Sequence, residues 1–156
     1  MSVQAVTHVG ICVSDLERAR ALYRDVLGFK ELSKLSVDDA TSAKFLEVEK
    51  LDLHCIFLER DGLRIELMDF RGQDLGGDGH STPLYHRGLT HFCLRVSDLD
   101  AILERLEAAG ATVLHHTAVA NEAYQSRIVF AVDPDGVRLE LIESPGDPKA
   151  VLGEPL

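Results

Sequence analysis

Residues 7–16 read THVGICVSDL, and residues 90–99 read THFCLRVSDL, so that six of the ten positions are identical. A second pair of similar stretches follows in each half. Residues 61–69 read DGLRIELMD, and residues 135–143 read DGVRLELIE. Two different stretches that recur in the same order indicate that the chain is a duplicated unit rather than one continuous pattern.

Each copy of the duplicated unit carries one histidine and one glutamate at equivalent places: His8 and Glu66, then His91 and Glu140. In each stretch apolar residues alternate with these polar ones, which is typical of a strand with one buried face. Imidazole nitrogen and carboxylate oxygen are ligands that suit divalent transition metal ions. Any one of the four alone would be interpreted as an ordinary polar strand residue, but their duplication predicts a four-ligand metal site.

The first half, about residues 5–70, is predicted to hold one helix between strands. Ser14-Asp15-Leu16-Glu17 has the pattern of a capping box, and the apolar spacing that follows it ends at Gly28. Asp61-Gly62 is a two-residue turn signal between two strands. The strands are predicted, in chain order, at 6–13, 29–35, about 43–49, 53–59 and 63–68.

The second half, about residues 89–143, repeats this order after a linker at 71–88 that is rich in Gly, Asp and Pro. A helix is predicted from Ser97-Asp98 to Gly110, and an irregular tail at 144–156. The strands of this half are predicted at 89–96, 112–116, 126–132 and 137–142, with an Asp133-Pro134-Asp135-Gly136 turn before the last. Each half is interpreted as β-α-β-β-β, with the strand at about 43–49 as an additional one in the first half.

The composition excludes some classes of partner. The formal net charge is −10 without a basic stripe, so no nucleic-acid partner is expected. No apolar run approaches the roughly 20 residues of a membrane helix, so no membrane partner is expected. The N-terminus lacks the pattern of a secretory signal, and the chain has only three cysteines. These features predict a cytoplasmic protein.

The strand histidine followed by an SDL helix start, the IEL and LEL glutamates and the DPDG turn resemble the vicinal oxygen chelate superfamily over about residues 5–143. That superfamily includes glyoxalase I, methylmalonyl-CoA epimerase, extradiol dioxygenases and fosfomycin or bleomycin resistance proteins. The resemblance implies a single α+β domain in which two βαβββ modules form an open, incomplete mixed β-barrel with helices outside. It also implies one divalent ion (Ni, Zn, Co, Mn or Fe), bound by His8, Glu66, His91 and Glu140.

The resemblance implies an enzyme of the glyoxalase or epimerase type, a lyase or isomerase that forms an enediolate or enolate of a small carbonyl substrate. Glu140 or Glu66 would move the proton. Single-chain members commonly form homodimers, so a homodimer is expected here. The residues predicted to contact the small-molecule substrate are Arg64, Arg95, Tyr124 and Arg127.

Two other functions stay open at this point. An Fe(II) extradiol-type dioxygenase would use two histidines and one glutamate, for which His8, His91 and Glu140 are available. A small-molecule binding or antibiotic-resistance protein would hold its ligand without catalysis. Cys12 and Phe70 stand where glyoxalase I usually has the Arg and Asn that contact glutathione, so the resemblance does not assign a co-substrate.

Overall fold

A computed structural model describes residues 2–150, apart from the side chain of Tyr124. The chain divides into two compact units, one up to Gly77 and one from Asp78 onward. Each unit contains one open four-stranded mixed sheet, which confirms the predicted α+β class and the duplication. Among the described residues, no helix is long and apolar enough to span a membrane.

The elements of the first unit are, in chain order, β1 (Val9–Cys12), α1 (Leu16–Ala21), a π-helical turn (Leu22–Val26), β2 (Lys30–Val37), α2 (Ala40–Phe45), β3 (Leu53–Arg60) and β4 (Leu63–Phe70). The strand order in the sheet is β1-β4-β3-β2, in which β1 runs parallel to β4 and the other neighbours are antiparallel. Helix α1 packs against β3 and β4.

The elements of the second unit are β5 (Phe92–Val96), α3 (Leu99–Ala108), β6 (Thr112–Asn121), a 3₁₀ turn (Glu122–Tyr124), β7 (Ser126–Val132) and β8 (Arg138–Glu143). They repeat the arrangement of the first unit with the strand order β5-β8-β7-β6, in which β5 runs parallel to β8. Helix α3 packs against β6 and β8. Residues 144–150 form no helix or strand, as expected of the tail, and residues 151–156 lie outside the described part.

In both SDL motifs the aspartate caps the N-terminus of a helix. The carboxylate of Asp15 accepts a hydrogen bond from the backbone N–H of Arg18 at 2.9 Å, and Asp98 accepts one from Ala101 at 3.0 Å. The helix expected to be capped at Ser14 is therefore capped one residue later, and Arg18 rather than Glu17 takes the third helical position. An aspartate at this position satisfies an otherwise unpaired N–H and places negative charge at the positive end of the helix.

The helix predicted from Leu16 to Gly28 is α-helical only as far as Ala21. The N–H of Leu27 then donates to the carbonyl of Leu22 at 3.0 Å, a spacing of five residues that defines a π-helical turn. This wider turn buries Leu22, Tyr23 and Leu27 together. The chain leaves it at Gly28, whose φ of 73° is in the left-handed region.

The strand predicted at about 43–49 is wrong, because this segment begins as helix α2. The carboxylate of Asp39 accepts hydrogen bonds from Thr41 N–H at 2.9 Å and Ser42 N–H at 3.0 Å, which start the helix. Ala43 and Leu46 are three residues apart and therefore lie on one helical face. Ala43 packs there in a cluster with Leu51, Leu53 and Cys55.

Both hairpin turns were predicted correctly. Asp61 and Gly62 have φ values of 52° and 85°, the left-handed pair that a tight two-residue hairpin requires. In the second unit the carboxylate of Asp133 accepts hydrogen bonds from Asp135 N–H at 2.9 Å and Val137 N–H at 2.8 Å. These turns fix the register of β4 and β8, the strands that carry the two glutamates.

Each sheet buries one face beneath its helix. Ile65 and Leu67 on β4, and Leu139 and Leu141 on β8, have no exposed area. Because side chains alternate along a strand, Glu66 and Glu140 lie on the opposite face. The predicted separation of apolar and ligand faces is thus present in both units.

The pH dependence of stability should change when Glu31 is replaced. The carboxylate of Glu31 accepts hydrogen bonds from Arg20 Nε at 2.5 Å and Arg24 Nη1 at 2.9 Å, and these guanidinium groups hold the pKa of Glu31 below its ordinary value of 4.5. The depressed pKa stabilises the fold above pH 4.5, and this stabilisation is lost as the pH falls through the pKa of the folded state. We expect Glu31→Gln to lower the free energy of unfolding by about 1 kcal/mol at pH 7, and by much less at pH 3.

Urea unfolding at the two pH values measures this effect. Glu17→Gln is the matched control, because the Glu17 carboxylate also pairs with Arg20 but its side chain is 69% exposed. An equal loss of stability at pH 7 and pH 3 for Glu31→Gln would contradict the prediction.

Candidate metal centre

The first His–Glu pair joins the start of β1 to the middle of β4, which runs parallel to it. His8 directly precedes β1, one residue before the strand rather than inside it as expected. The register places Gly10 opposite Glu66, so no side chain of Gly10 intervenes on the face that they share. Nε2 of His8 lies 3.2 Å from Oε2 of Glu66.

The second pair repeats this geometry on β5 and β8. His91 directly precedes β5, and the residue two positions after it, Cys93, lies opposite Glu140. Nε2 of His91 lies 2.9 Å from Oε2 of Glu140. The structure therefore brings each predicted histidine together with the predicted glutamate of its own unit.

The other ring nitrogen of each histidine also has the same partner in both units. Nδ1 of His8 lies 3.0 Å from Oγ1 of Thr7, and Nδ1 of His91 lies 2.9 Å from Oγ1 of Thr90. With both nitrogens engaged, the rotation of each ring is fixed. Nε2 is the nitrogen that faces the carboxylate in both units.

An aromatic ring packs edge-on against each histidine. The ring centroids of His8 and Phe57 are 5.4 Å apart, and those of His91 and Phe130 are 5.7 Å apart. Phe57 pairs with Glu66 across β3 and β4, and Phe130 pairs with Glu140 across β7 and β8. The phenylalanines thus form one wall beside each pair.

A thiol hydrogen-bonds to each glutamate. Burial raises the pKa of the Cys55 thiol to about 12, with a further contribution from its hydrogen bond to Glu66. Burial and the charge of Glu140 raise the pKa of the Cys93 thiol to about 11. Both cysteines are therefore neutral thiols at pH 7, which donate weakly to the carboxylates.

The spacing within each pair fits two ligands of one metal ion. Two ligand atoms at about 2.1 Å from an ion, and at right angles to each other, lie about 3.0 Å apart. The observed separations of 3.2 Å and 2.9 Å bracket that value. Within the part of the chain that the structure describes, neither unit groups three His, Cys, Asp or Glu side chains suited to a metal ion. Each unit thus supplies one pair.

Two of the arginines predicted as substrate contacts lie on the same face as the glutamates. Arg64 is two residues before Glu66 on β4 and is exposed. Arg95 lies on β5 and donates through Nη2 to the carbonyl oxygens of Ser144 and Pro145, at 2.8 and 2.7 Å. Its Nε is buried and has no hydrogen-bond partner among the described residues.

The third predicted arginine, Arg127, lies on the opposite face of its sheet. Its guanidinium group pairs with Asp100 on α3 at 2.5 Å and with Glu143 at 3.2 Å. Phe130, three positions further along β7, points to His91 instead, as strand alternation requires. The structure thus does not bring Arg127 to the His–Glu pair, and the side chain of Tyr124 lies outside the described part.

Arg138 lies beside the second pair as well. Its guanidinium carbon is 5.3 Å from the centre of the Phe130 ring, which also contacts His91. Its Nη2 donates to Ser81 Oγ at 2.8 Å and to the carbonyl of Thr82 at 3.2 Å. These hydrogen bonds attach the 71–88 linker to β8 at Arg138, two residues before Glu140.

The sequence interpretation assigned no role to the threonines, the phenylalanines or Cys55. The threonines had a detectable signal, because the dipeptide Thr-His occurs in both copies of the first repeat. The phenylalanines and Cys55 had none, since their positions depend on the register of β3 and β7 against the glutamate strands.

Known structures share this pair of sheets. The structure of a glyoxalase family protein from Bacillus cereus is similar with a TM-score of 0.78 at 18% identity, over 94% of this chain and 97% of that one. Fosfomycin resistance protein FosX from Listeria monocytogenes, solved with Mn(II) and sulfate, is similar with a TM-score of 0.55 at 21% identity, over 92% and 94%. These likenesses establish the class of fold.

The family follows from the sequence match. The protein-family model of the Glyoxalase/Bleomycin resistance protein/Dioxygenase superfamily matches residues 5–141 of the sequence. The chain belongs to this superfamily, which confirms the resemblance inferred from the repeated motifs.

Two curated proteins of known name are similar to this chain in sequence. Glyoxalase I from Saccharomyces cerevisiae is 30% identical over 149 residues, which are 88% of this chain and 44% of that protein. Ethylmalonyl-CoA/methylmalonyl-CoA epimerase from Cereibacter sphaeroides is 31% identical over 109 residues, 70% of this chain and 73% of that protein. The chain thus spans less than half the length of the yeast relative.

Proposed function

We propose that the chain is a divalent-metal-dependent enzyme of the glyoxalase or epimerase type, with His8, Glu66, His91 and Glu140 as the ligands of one ion. The observation that supports it is the repetition of one His–Glu pair with the spacing of neighbouring metal ligands, 3.2 Å in one unit and 2.9 Å in the other. A plain hydrogen bond has a similar length. Its recurrence at the equivalent place of a duplicated fold favours a shared ion.

Both His–Glu pairs are proposed to bind the same ion, because one pair supplies only two protein ligands. Catalytic ions of this type are held by three or four. Four ligands leave open positions for the substrate. The ion would supply polarisation of the substrate carbonyl, which acidifies the neighbouring C–H. The related FosX was solved with Mn(II), whereas the identity of the ion in this chain stays open among Ni, Zn, Co, Mn and Fe.

Glu140 is the better placed of the two glutamates to move the proton. Its side chain is 21% exposed, whereas that of Glu66 is 12% exposed. A base must reach the substrate, so the more accessible carboxylate is assigned this role. It would take a proton from the carbon next to the carbonyl and return it to the same or the neighbouring carbon, as an isomerase or lyase requires.

Arg95 remains the proposed contact for an anionic part of a small-molecule substrate. Its buried Nε–H has no partner among the described residues, and a buried donor without a partner is costly. Arg64, on the same face in the first unit, is the second proposed contact. Arg127 is not proposed as a substrate contact, because its guanidinium group pairs with Asp100 and Glu143. A cytoplasmic location stays a prediction.

Elemental analysis and proton exchange test the proposed function together. We expect about one divalent ion per pair of units in the purified protein. We also expect exchange of the α-proton of methylmalonyl-CoA, or of the hemithioacetal of methylglyoxal and glutathione, in D₂O. Oxygen uptake with catechols would favour the dioxygenase alternative, and tight ligand binding with neither activity would favour a binding or resistance protein.

A homodimer is proposed in which the first unit of one chain and the second unit of the other share one ion. Mixing inactive His8→Ala and inactive His91→Ala chains tests this arrangement. A mixed dimer would then contain one site with both substitutions and one intact site. We expect activity to return towards half in mixed dimers after unfolding and refolding of the mixture. Ligands that all come from one chain would give no recovery.

A further inference from the structure

We propose that Thr7 and Thr90 are positioning residues whose hydroxyl groups reverse their hydrogen-bond direction when the proposed ion binds. Each hydroxyl lies at 3.0 or 2.9 Å from Nδ1 of the histidine that follows it. The same contact in both units, at the same Thr-His dipeptide, is the observation that carries this inference. It rests on the proposed function.

Without an ion, the carboxylate determines the position of the ring proton. An ionised glutamate only accepts hydrogen bonds, so whenever the His8 ring carries a single proton, that proton is on Nε2, which lies 3.2 Å from Glu66. Nδ1 then has a lone pair and no proton. The hydroxyl of Thr7 must therefore donate to it.

With an ion, the ring proton must change nitrogen. A metal takes the lone pair of Nε2, so the proton leaves Nε2 to water and another proton reaches Nδ1 from water, and the ring stays neutral. Nδ1–H then donates to the oxygen of the threonine. The His91 ring does the same with Thr90.

A hydroxyl is suited to this change because it both donates and accepts. A carbonyl or carboxylate at this position would accept only, and would leave the metal-free pair with two acceptors facing each other. Valine, which has the shape of threonine without the oxygen, would leave Nδ1–H unpaired in the metal-bound form. Serine would preserve the function.

His54 provides an internal control. Its Nδ1 lies 3.0 Å from Oγ of Ser36 and its Nε2 lies 2.9 Å from Oδ1 of Asp52, so it has the same hydroxyl–imidazole–carboxylate chain. It belongs to neither duplicated pair. Its ring proton should therefore stay on Nε2 when metal is added.

The experiment uses the full chain with ¹⁵N-labelled histidine, before and after one equivalent of Zn²⁺. We expect ring-nitrogen NMR to show the Nε2–H tautomer for His8 and His91 without zinc and the Nδ1–H tautomer with it, while His54 is unchanged. Competition with a chelator should show a zinc Kd that is about 10–100-fold higher for Thr7→Val/Thr90→Val. Thr7→Ser/Thr90→Ser should stay within about threefold of the wild type. Both threonines are exposed, so the fold should persist in all variants.

Three outcomes would overturn the inference. Nδ1–H tautomers in the metal-free protein would contradict the donor role of the threonines. Equal zinc affinity of the valine and serine variants would contradict their role in the metal-bound form while leaving the proposed function intact. A wild type whose His8 and His91 signals do not respond to zinc would contradict the proposed function itself, and the reversal with it.

Discussion

Replacing His91 by alanine is expected to remove bound metal from the purified protein and to abolish its activity. Nε2 of His91 lies 2.9 Å from Oε2 of Glu140, and Phe130 packs edge-on against the His91 ring. Loss of an outer partner of a ligand costs about 10–100-fold in metal affinity. Loss of the ligand itself should therefore exceed about 100-fold.

The duplication sharpens this expectation, since His8→Ala should have an effect of the same size. Elemental analysis and chelator competition measure metal content and affinity in each variant. His54→Ala is the matched control, because it removes an imidazole with a hydroxyl and a carboxylate partner that lies outside both pairs. A His91→Ala protein that keeps the metal content of the wild type would exclude His91 as a ligand.

The faces that carry the histidines and glutamates were predictable because they depend on a short-range rule applied twice. Strand alternation fixes the face of each side chain, whereas the parallel pairing of β1 with β4, which sets Gly10 opposite Glu66, is known only from the structure. Repetition of the motif then gave an independent check in the second unit, where Cys93 lies opposite Glu140. The same local rules gave the turn at Asp61-Gly62.

Helix α2 was not predictable by alternation, because Leu46 and Val48 are spaced as in a strand, whereas Ala43 and Leu46 are spaced as on a helix. The hydrogen bonds from Thr41 and Ser42 to Asp39 decide in favour of the helix. A cap of this kind is visible in the sequence, but it competes with the apolar pattern that follows. The mistaken strand lay at the point where the two signals disagreed.

The prediction of the sheet face on which Arg127 lies would have required long-range information. Only the register of β7 against β8 places Arg127 beside Asp100 and Glu143 on the helix side. The thiol of Cys55 illustrates the same limit, since its contact with Glu66 joins strands β3 and β4. Residues that touch the pairs from neighbouring strands could not be found from motifs alone.

Replacing Glu140 by glutamine should lower turnover by about 10²–10⁴-fold while much of the metal is retained. The amide oxygen of glutamine can still bind an ion, but the amide cannot accept a proton at neutral pH. Glu66→Gln is the matched variant, because Glu66 holds the equivalent place in the first unit. Its effect on turnover should be smaller, since its side chain is 12% exposed against 21% for Glu140 and is less accessible to a substrate.

The two variants separate ligation from proton transfer. Exchange of the substrate α-proton in D₂O reports the transfer step, and elemental analysis of the same samples reports the ion. If both variants lost the metal equally, the loss of exchange would reflect ligation alone. If Glu66→Gln lost exchange and Glu140→Gln kept it, Glu66 would be the base. The greater exposure of the Glu140 side chain would then not determine which of the two equivalent carboxylates moves the proton.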